Sequence, residues 1–380
     1  MNIVTLTEAE ACARLIRRGD LVASKLAFID CKIPGSHLKE NYAIIGPGVS
    51  QDAAQVIPLA EPHGFQIGAA AMPNGITNNL HIHFTAEVFI IFRGTWLFRW
   101  GADGRDGEIV GEAGDVVSVP TWIFRGFTNI GVDDGWIYTM LGGDDTGGII
   151  WHPSILDVAR QHGMYLSREN MLIDTSGGAP TPTEAELIRP IPPSAIAGLR
   201  KYSVDDMRSR VVTAAERQWS SRALLDSMLP GHASALAPVL GYGMTEDRDQ
   251  APKVANPHGF SIEWLRIEPG NSVGAYAVDA KQVLMVYGGA AEVTLNEDGG
   301  VRVRAEAWDS YSVPANVWRS IAAVGDVALE LVVMTAGDAR PKLRWSPNVA
   351  RAAADAGWVL DASGFMAARD LVPQALMAAE

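Results

Sequence analysis

Gly75-Ile76-Thr77-Asn78-Asn79-Leu80-His81-Ile82-His83-Phe84-Thr85-Ala86-Glu87, with Gly94 beyond it, sets two imidazoles and a carboxylate close together in a segment whose flanks are strand-forming. In a strand, residues i and i+2 point to the same face, so His81 and His83 project together. Glu87 keeps that parity if the chain stays extended or turns tightly. Two histidines and one carboxylate on one side of a metal, with positions left open, are the donor set of non-haem iron chemistry. His81, His83 and Glu87 are therefore the expected metal ligands.

The spacing Gly-x5-His-x-His-x3-Glu-x6-Gly resembles the first signature of the cupin superfamily without a mismatch. That resemblance implies an all-β chain of double-sheet jelly-roll barrels. The apolar runs at 88–92, 116–119, 136–140, 283–287 and 329–334 agree, being strand-length and bounded by Gly, Asp or Pro. Helical composition is peripheral, at 8–18, 203–227, 155–163 and 349–357, the last two ending at glycine.

The chain also repeats itself. Pro62-His63-Gly64-Phe65 recurs as Pro257-His258-Gly259-Phe260, an offset of 195 (62 to 257). Gly75 and Gly94 meet Gly270 and Gly289 at the same offset; after a one-residue slip, Pro120, Arg125 and Trp151 meet Pro314, Arg319 and Trp345. Two tandem cupin domains are expected, 1–175 and 201–380, joined by a Pro/Gly-rich linker at 176–200. The triad breaks the repeat: His81, His83 and Glu87 face Tyr276, Val278 and Gln282. The metal is therefore expected in the first domain, with the second structural. His63 and His258 recur in both halves and read as structural.

The superfamily's second signature, Gly-x5-Pro-x-Gly-x2-His-x3-Asn, is met by Gly114, Pro120 and Asn129, but Trp122 replaces the second Gly and Arg125 the His. A guanidinium has no lone pair to offer a metal. Arg125 either binds a substrate anion through its fork or pairs with a buried acid to support the barrel. The recurrence as Arg319 favours the second reading, while in the leading hypothesis Arg125 is a substrate-binding or catalytic residue that orients the substrate's anionic oxygen and stabilises developing charge. Trp96, Trp122 and Phe124 are expected near the pocket, which would suit a planar, largely apolar substrate. His152, opposite Ser346 in the repeat, is a candidate extra polar group there. The glycine-rich 142–148 lacks the Gly-Lys-Ser/Thr ending of a P-loop and reads as a turn.

A net charge of −13 argues against nucleic acid and anionic membranes as partners. Cys12 and Cys31 are too few for a disulfide framework, and neither a signal peptide nor a membrane-span pattern is present, so a cytoplasmic location is expected. The layout is similar to that of bicupin dioxygenases that cleave gentisate, salicylate or hydroxynaphthoate rings, although those rely on three histidines where this chain has Arg125. The resulting expectation is an iron(II) dioxygenase cleaving a carbon–carbon bond of an oxygenated aromatic or enolic small molecule, with O2 as co-substrate. Mn2+, Ni2+ and Zn2+ fit the same donors. The alternatives are a non-oxidative metal-dependent lyase, isomerase or decarboxylase, and a ligand-binding or storage cupin. Exposed sheet edges make a homo-oligomer the expected assembly.

Overall fold

The computed structural model describes residues 2–377. It divides into two compact units, Leu21–Glu216 and Met1–Asp20 together with Arg217–Glu380. The first contains a six-stranded sheet in the order Val211–Val212, Val116–Val119, Glu87–Arg93, Gly135–Gly142, Phe65–Met72, Glu40–Ile45. Its five-stranded partner runs Ile149–Trp151, Thr77–His83, Arg125–Asn129, Trp96–Trp100, Gly107–Gly111. The pairings are antiparallel. Ala70, Met72, Phe89, Ile91 and Ile137 of the larger sheet pack against Trp96, Phe98, Trp100, Ile109 and Phe127 of the smaller. Each large side chain buried this way stabilises the sandwich by roughly 1.5–3 kcal/mol.

The second unit repeats the plan. Its larger sheet runs Leu15–Ile16, Ser310–Val313, Gln282–Gly288, Leu329–Ala336, Phe260–Ile267, Ser234–Leu240, and its smaller one runs from Val301–Ala305 to Arg344–Trp345. The expected strands are all present within these elements.

The sequence division and the compact units differ at two short arms. The sequence division places residues 1–20 in the first domain, whereas Leu15 and Ile16 pair with Tyr311 and Ser310 of the second unit. It places residues 201–216 in the second domain, whereas Val211 and Val212 pair with Val117 and Val116 of the first. These apolar pairs complete a sheet edge, which explains why 203–227 is not one helix. Only Val204–Arg208 is α-helical there, started by a capping box between Ser203 and Asp206, and Ala214–Glu216 and Leu225–Met228 are short 3-10 turns.

The 176–200 stretch is not a free tether. Ile191, Ile196 and Leu199 pack on Leu80, Ile82 and Phe124. Leu80 and Ile82 alternate with His81 and His83, so this cover seals the outer face of the strand whose inner face carries the imidazoles. No helix among the described residues is long and apolar enough to cross a membrane.

Candidate metal centre

His81 and His83 end the strand Thr77–His83 of the smaller sheet, held by pairing with Trp151 and Ile149. Phe84, Thr85 and Ala86 then carry the chain across, and Glu87 opens Glu87–Arg93 in the larger sheet. Glu87 shares the inward parity of Phe89 and Ile91, so the three side chains meet between the sheets. His83 Nε2 lies 3.6 Å and His81 Nε2 3.9 Å from Glu87 Oε2. The three ligand atoms lie within 4.8 Å of one another, and all three residues are buried.

The other ring nitrogens settle which atoms face inward. His81 Nδ1 donates to the Asn79 carbonyl at 2.7 Å and His83 Nδ1 to the Gly148 carbonyl at 3.3 Å. Nε2 of each ring is left with its lone pair toward Glu87, the arrangement in which histidines bind metals. The Glu–His separations are within twice a metal–ligand bond of about 2.0–2.2 Å. Burial pushes the Glu87 carboxyl upward, but His83, His81 and Arg125 outweigh it and hold the pKa down at about 2. Burial drives His83 well below the usual imidazole range, so near neutral pH it is uncharged and able to coordinate.

Arg125 begins Arg125–Asn129, beside His81 in the sheet. Its Nη1 and Nη2 donate to the carbonyls of His81 and Pro120, both at 3.4 Å, and its Nε stands 3.5 Å from Glu87 Oε2. Nε and Oε2 are both buried without a hydrogen-bond partner. A buried carboxylate oxygen facing two imidazole lone pairs, with no hydrogen bond of its own, fits a cation ligand.

A second cluster stiffens the floor of the site. The buried Lys39 Nζ lies 2.6 Å from Asp30 Oδ1 and 2.5 Å from Asn78 Oδ1, while Asp30 Oδ2 accepts from the backbone and side-chain nitrogens of Asn79. Asn78 and Asn79 thereby fix the irregular stretch of strand, where the register shifts against Arg125–Asn129, from which His81 projects. Reading by motif missed Asp30, Lys39 and Asn78. The repeat held the signal, since Lys39 and Asn78 meet Ser234 and Val273 in the half that also lacks the triad.

A cavity of about 60 Å³ opens beside the triad, lined among others by Asn41, Gly68, Ala70, Phe127, Thr139 and Leu141. None of the four residues expected there from sequence lines it. Trp96 is a core side chain that donates to the Arg93 carbonyl, and Phe124 packs under the 176–200 cover. His152 caps the helix Pro153–Gln161 through Ser154 and meets Phe124 edge to face at 5.0 Å. Trp122 is 47% exposed against Phe84, with φ at +57°. It stands where the second signature has a glycine, in the backbone region that glycine adopts freely. His63 and His258 have matching structural roles, each with Nδ1 2.6 Å from a backbone oxygen and its backbone N–H bonded to the aspartate that follows Gly135–Gly142 or Leu329–Ala336, Asp144 or Asp338.

In the second barrel, Tyr276 and Val278 occupy the histidine positions and Gln282 the glutamate position. Tyr276 donates to Gln282 Oε1 at 3.1 Å, and Gln282 Nε2 donates to Thr335 at 3.0 Å. That network is closed on itself and offers no ligand set.

No protein-family model matches the chain, and no curated protein matches it in sequence. Solved structures do match. Oxalate decarboxylase of Lactobacillus farciminis, in complex with formate, is 12% identical at a TM-score of 0.51 and covers 86% of this chain and 86% of its own. Oxalate decarboxylase of Bacillus subtilis is 12% identical at a TM-score of 0.52, over 91% of this chain and 79% of its own. Vicilin of hazelnut, Corylus avellana, is 10% identical at a TM-score of 0.52, over 88% of both. At such identities the likeness is one of fold.

Proposed function

The chain has the two-domain cupin fold, and on that premise we propose that its first barrel is a divalent-metal enzyme cleaving a carbon–carbon bond of a small oxygenated acid, by decarboxylation or a related non-oxidative step. The observation that carries this reading is the buried His81–His83–Glu87 cluster, with both Nε2 lone pairs turned toward a carboxylate oxygen that has no hydrogen bond. A bound ion supplies a Lewis acid that polarises the substrate's oxygens and stabilises negative charge on them. Mn2+ and Fe2+ suit these nitrogen and carboxylate donors. The Bacillus subtilis decarboxylase has Mn(II) centres.

The chain's own residues do the positioning. The Asn79 and Gly148 carbonyls set the imidazole tautomers. Arg125 helps keep Glu87 ionised, so Glu87 serves as a ligand and not as a proton donor at neutral pH. Arg125 takes the supporting part of its two sequence readings, with both Nη groups on backbone carbonyls. Phe127, Leu141 and Ile149 present apolar walls that limit water beside the reacting carbon.

The iron(II) dioxygenase reading rests on one specific observation, the two-histidine, one-carboxylate donor set, which leaves room for O2 beside a chelated substrate. A storage role, suggested by the vicilin likeness, gives no reason for a buried donor set in one barrel alone. Reconstitution with Mn2+ or Fe2+, followed by assay of small 2-oxo and 2-hydroxy acids under nitrogen and in air, separates the three. Anaerobic release of CO2 is the expected result. O2 uptake in proportion to substrate lost would transfer the assignment to the dioxygenase, and a loaded protein inert under both atmospheres would favour the non-enzymatic reading.

A further inference from the structure

The cavity beside the triad is specific in charge and in size. Among the described residues that line it, Glu87 is the one that carries a formal charge; no lysine, arginine or aspartate takes part. The two nearest buried cations are committed elsewhere. Lys39 is held between Asp30 and Asn78. Arg125 lies behind Glu87 with its Nη groups on the carbonyls of His81 and Pro120. Positive charge is therefore available to a ligand at the metal end and nowhere deeper.

The space itself comes from small residues. Gly68 and Ala70 on Phe65–Met72 and Thr139 on Gly135–Gly142 face inward, Gly68 pairing with Thr139. The corresponding positions of the second barrel carry Glu263, Leu265 and Val333, all fully buried, with Glu263 pairing with Val333. The barrel that keeps the triad thus also keeps the room, and the barrel that lost the triad has filled it. At about 60 Å³ the cavity accommodates roughly half a dozen non-hydrogen atoms. Away from the triad the polar groups facing it are neutral. Thr139 is half-buried, and the Gln55 side-chain oxygen is buried without a hydrogen-bond partner.

We infer that this cavity selects a small oxygenated acid whose negative charge is confined to the end that meets the metal, with an uncharged remainder directed toward Gly68 and Thr139. The inference rests on the metal-enzyme reading and narrows it to a substrate class. A second carboxylate at the far end would lose its hydration and find no cation there, so such acids bind at least about a hundredfold more weakly.

Isothermal titration of the Mn2+-loaded wild-type chain with racemic 2-hydroxybutyrate and racemic malate tests this directly. The two probes share a chelating end and differ by a distal methyl or carboxylate. The expected result is binding of 2-hydroxybutyrate, with malate at least about a hundredfold weaker. Malate binding equal to or tighter than 2-hydroxybutyrate overturns the inference, and so does failure of both to bind a chain that holds Mn2+. A chain that takes up no Mn2+ overturns the metal reading itself, which separates the two failures. Thr139→Val, the residue the second barrel carries, is expected to weaken 2-hydroxybutyrate about fivefold with Mn2+ uptake unchanged. Unchanged affinity in that variant counts against the placement of the substrate's neutral end.

Discussion

Arg319 donates a 2.8 Å hydrogen bond to Gln282, the residue that stands in the second barrel where Glu87 stands in the first. The first barrel has the same guanidinium and a carboxylate in place of the amide, yet its Nε–Oε2 separation is 3.5 Å and neither atom has a hydrogen-bond partner. One barrel has closed its polar network and the other has left it open toward two imidazoles.

Glu87→Gln copies the closed arrangement into the first barrel. The variant is expected to fold with a thermal midpoint close to that of the metal-free parent, because Gln282 shows that this scaffold accepts the amide beside an arginine. Its affinity for Mn2+ or Fe2+ is expected to fall at least about a hundredfold, since an anionic donor has gone. Calorimetric metal titration and a thermal melt check both halves of this expectation.

Arg125→Met removes the cation facing Glu87. In metal-free protein an uncompensated buried carboxylate remains, and the expected loss is about 3–5 kcal/mol of stability. Arg125→Met combined with Glu87→Gln should recover much of that loss. Chemical denaturation of the two single variants and the double variant yields the coupling as a cycle.

Lys39→Met similarly strands Asp30, which is buried at 0% exposure, and should destabilise the first barrel by about 3–5 kcal/mol. Lys39→Met with Asp30→Asn should restore part of it. Because Lys39 also anchors Asn78 beneath His81, metal affinity in the folded variant is expected to drop about tenfold. Equilibrium dialysis against Mn2+ reads this without any activity assay.

Glu263 gives a pH dependence with a definite sign. Burial raises its pKa to about 8, while Met244 N–H, its hydrogen-bond donor at 3.2 Å, lowers it less. The folded protein thus keeps Glu263 protonated where the unfolded chain ionises it. Its contribution is fully present below the ordinary value near 4.5 and is lost as pH rises toward about 8. Glu263→Gln should leave stability near pH 5 almost unchanged and raise the melting temperature at pH 8.5 by several degrees, because the cost removed there is on the order of 3–5 kcal/mol. Melts of both proteins at the two pH values check it.

Much of this was legible in the chain. Period-two alternation put His81 and His83 on one face and Leu80 and Ile82 on the other, and the repeat showed that one half lacks the donors. Parity within one strand could not say that residues 84–86 cross between sheets, so the meeting of Glu87 with the imidazoles became visible only in three dimensions. The 203–227 segment misled because Val211 and Val212 form an edge strand on Val117 and Val116, 94 and 96 residues away, beyond any local periodicity. The pocket was sought among aromatics, whereas it is made by what is missing, at Gly68 and Ala70. Side-by-side comparison with Glu263 and Leu265 would have pointed to it.

The most direct test of the account is metal content. Protein loaded with Mn2+ or Fe2+ and desalted should carry about one ion per chain by elemental analysis, and His83→Ala should carry none while remaining folded. Among the described residues the first barrel alone supplies such a ligand set, so a second equivalent is not expected. A chain that retains no ion, or one whose ion survives in His83→Ala, would contradict the assignment of His81, His83 and Glu87.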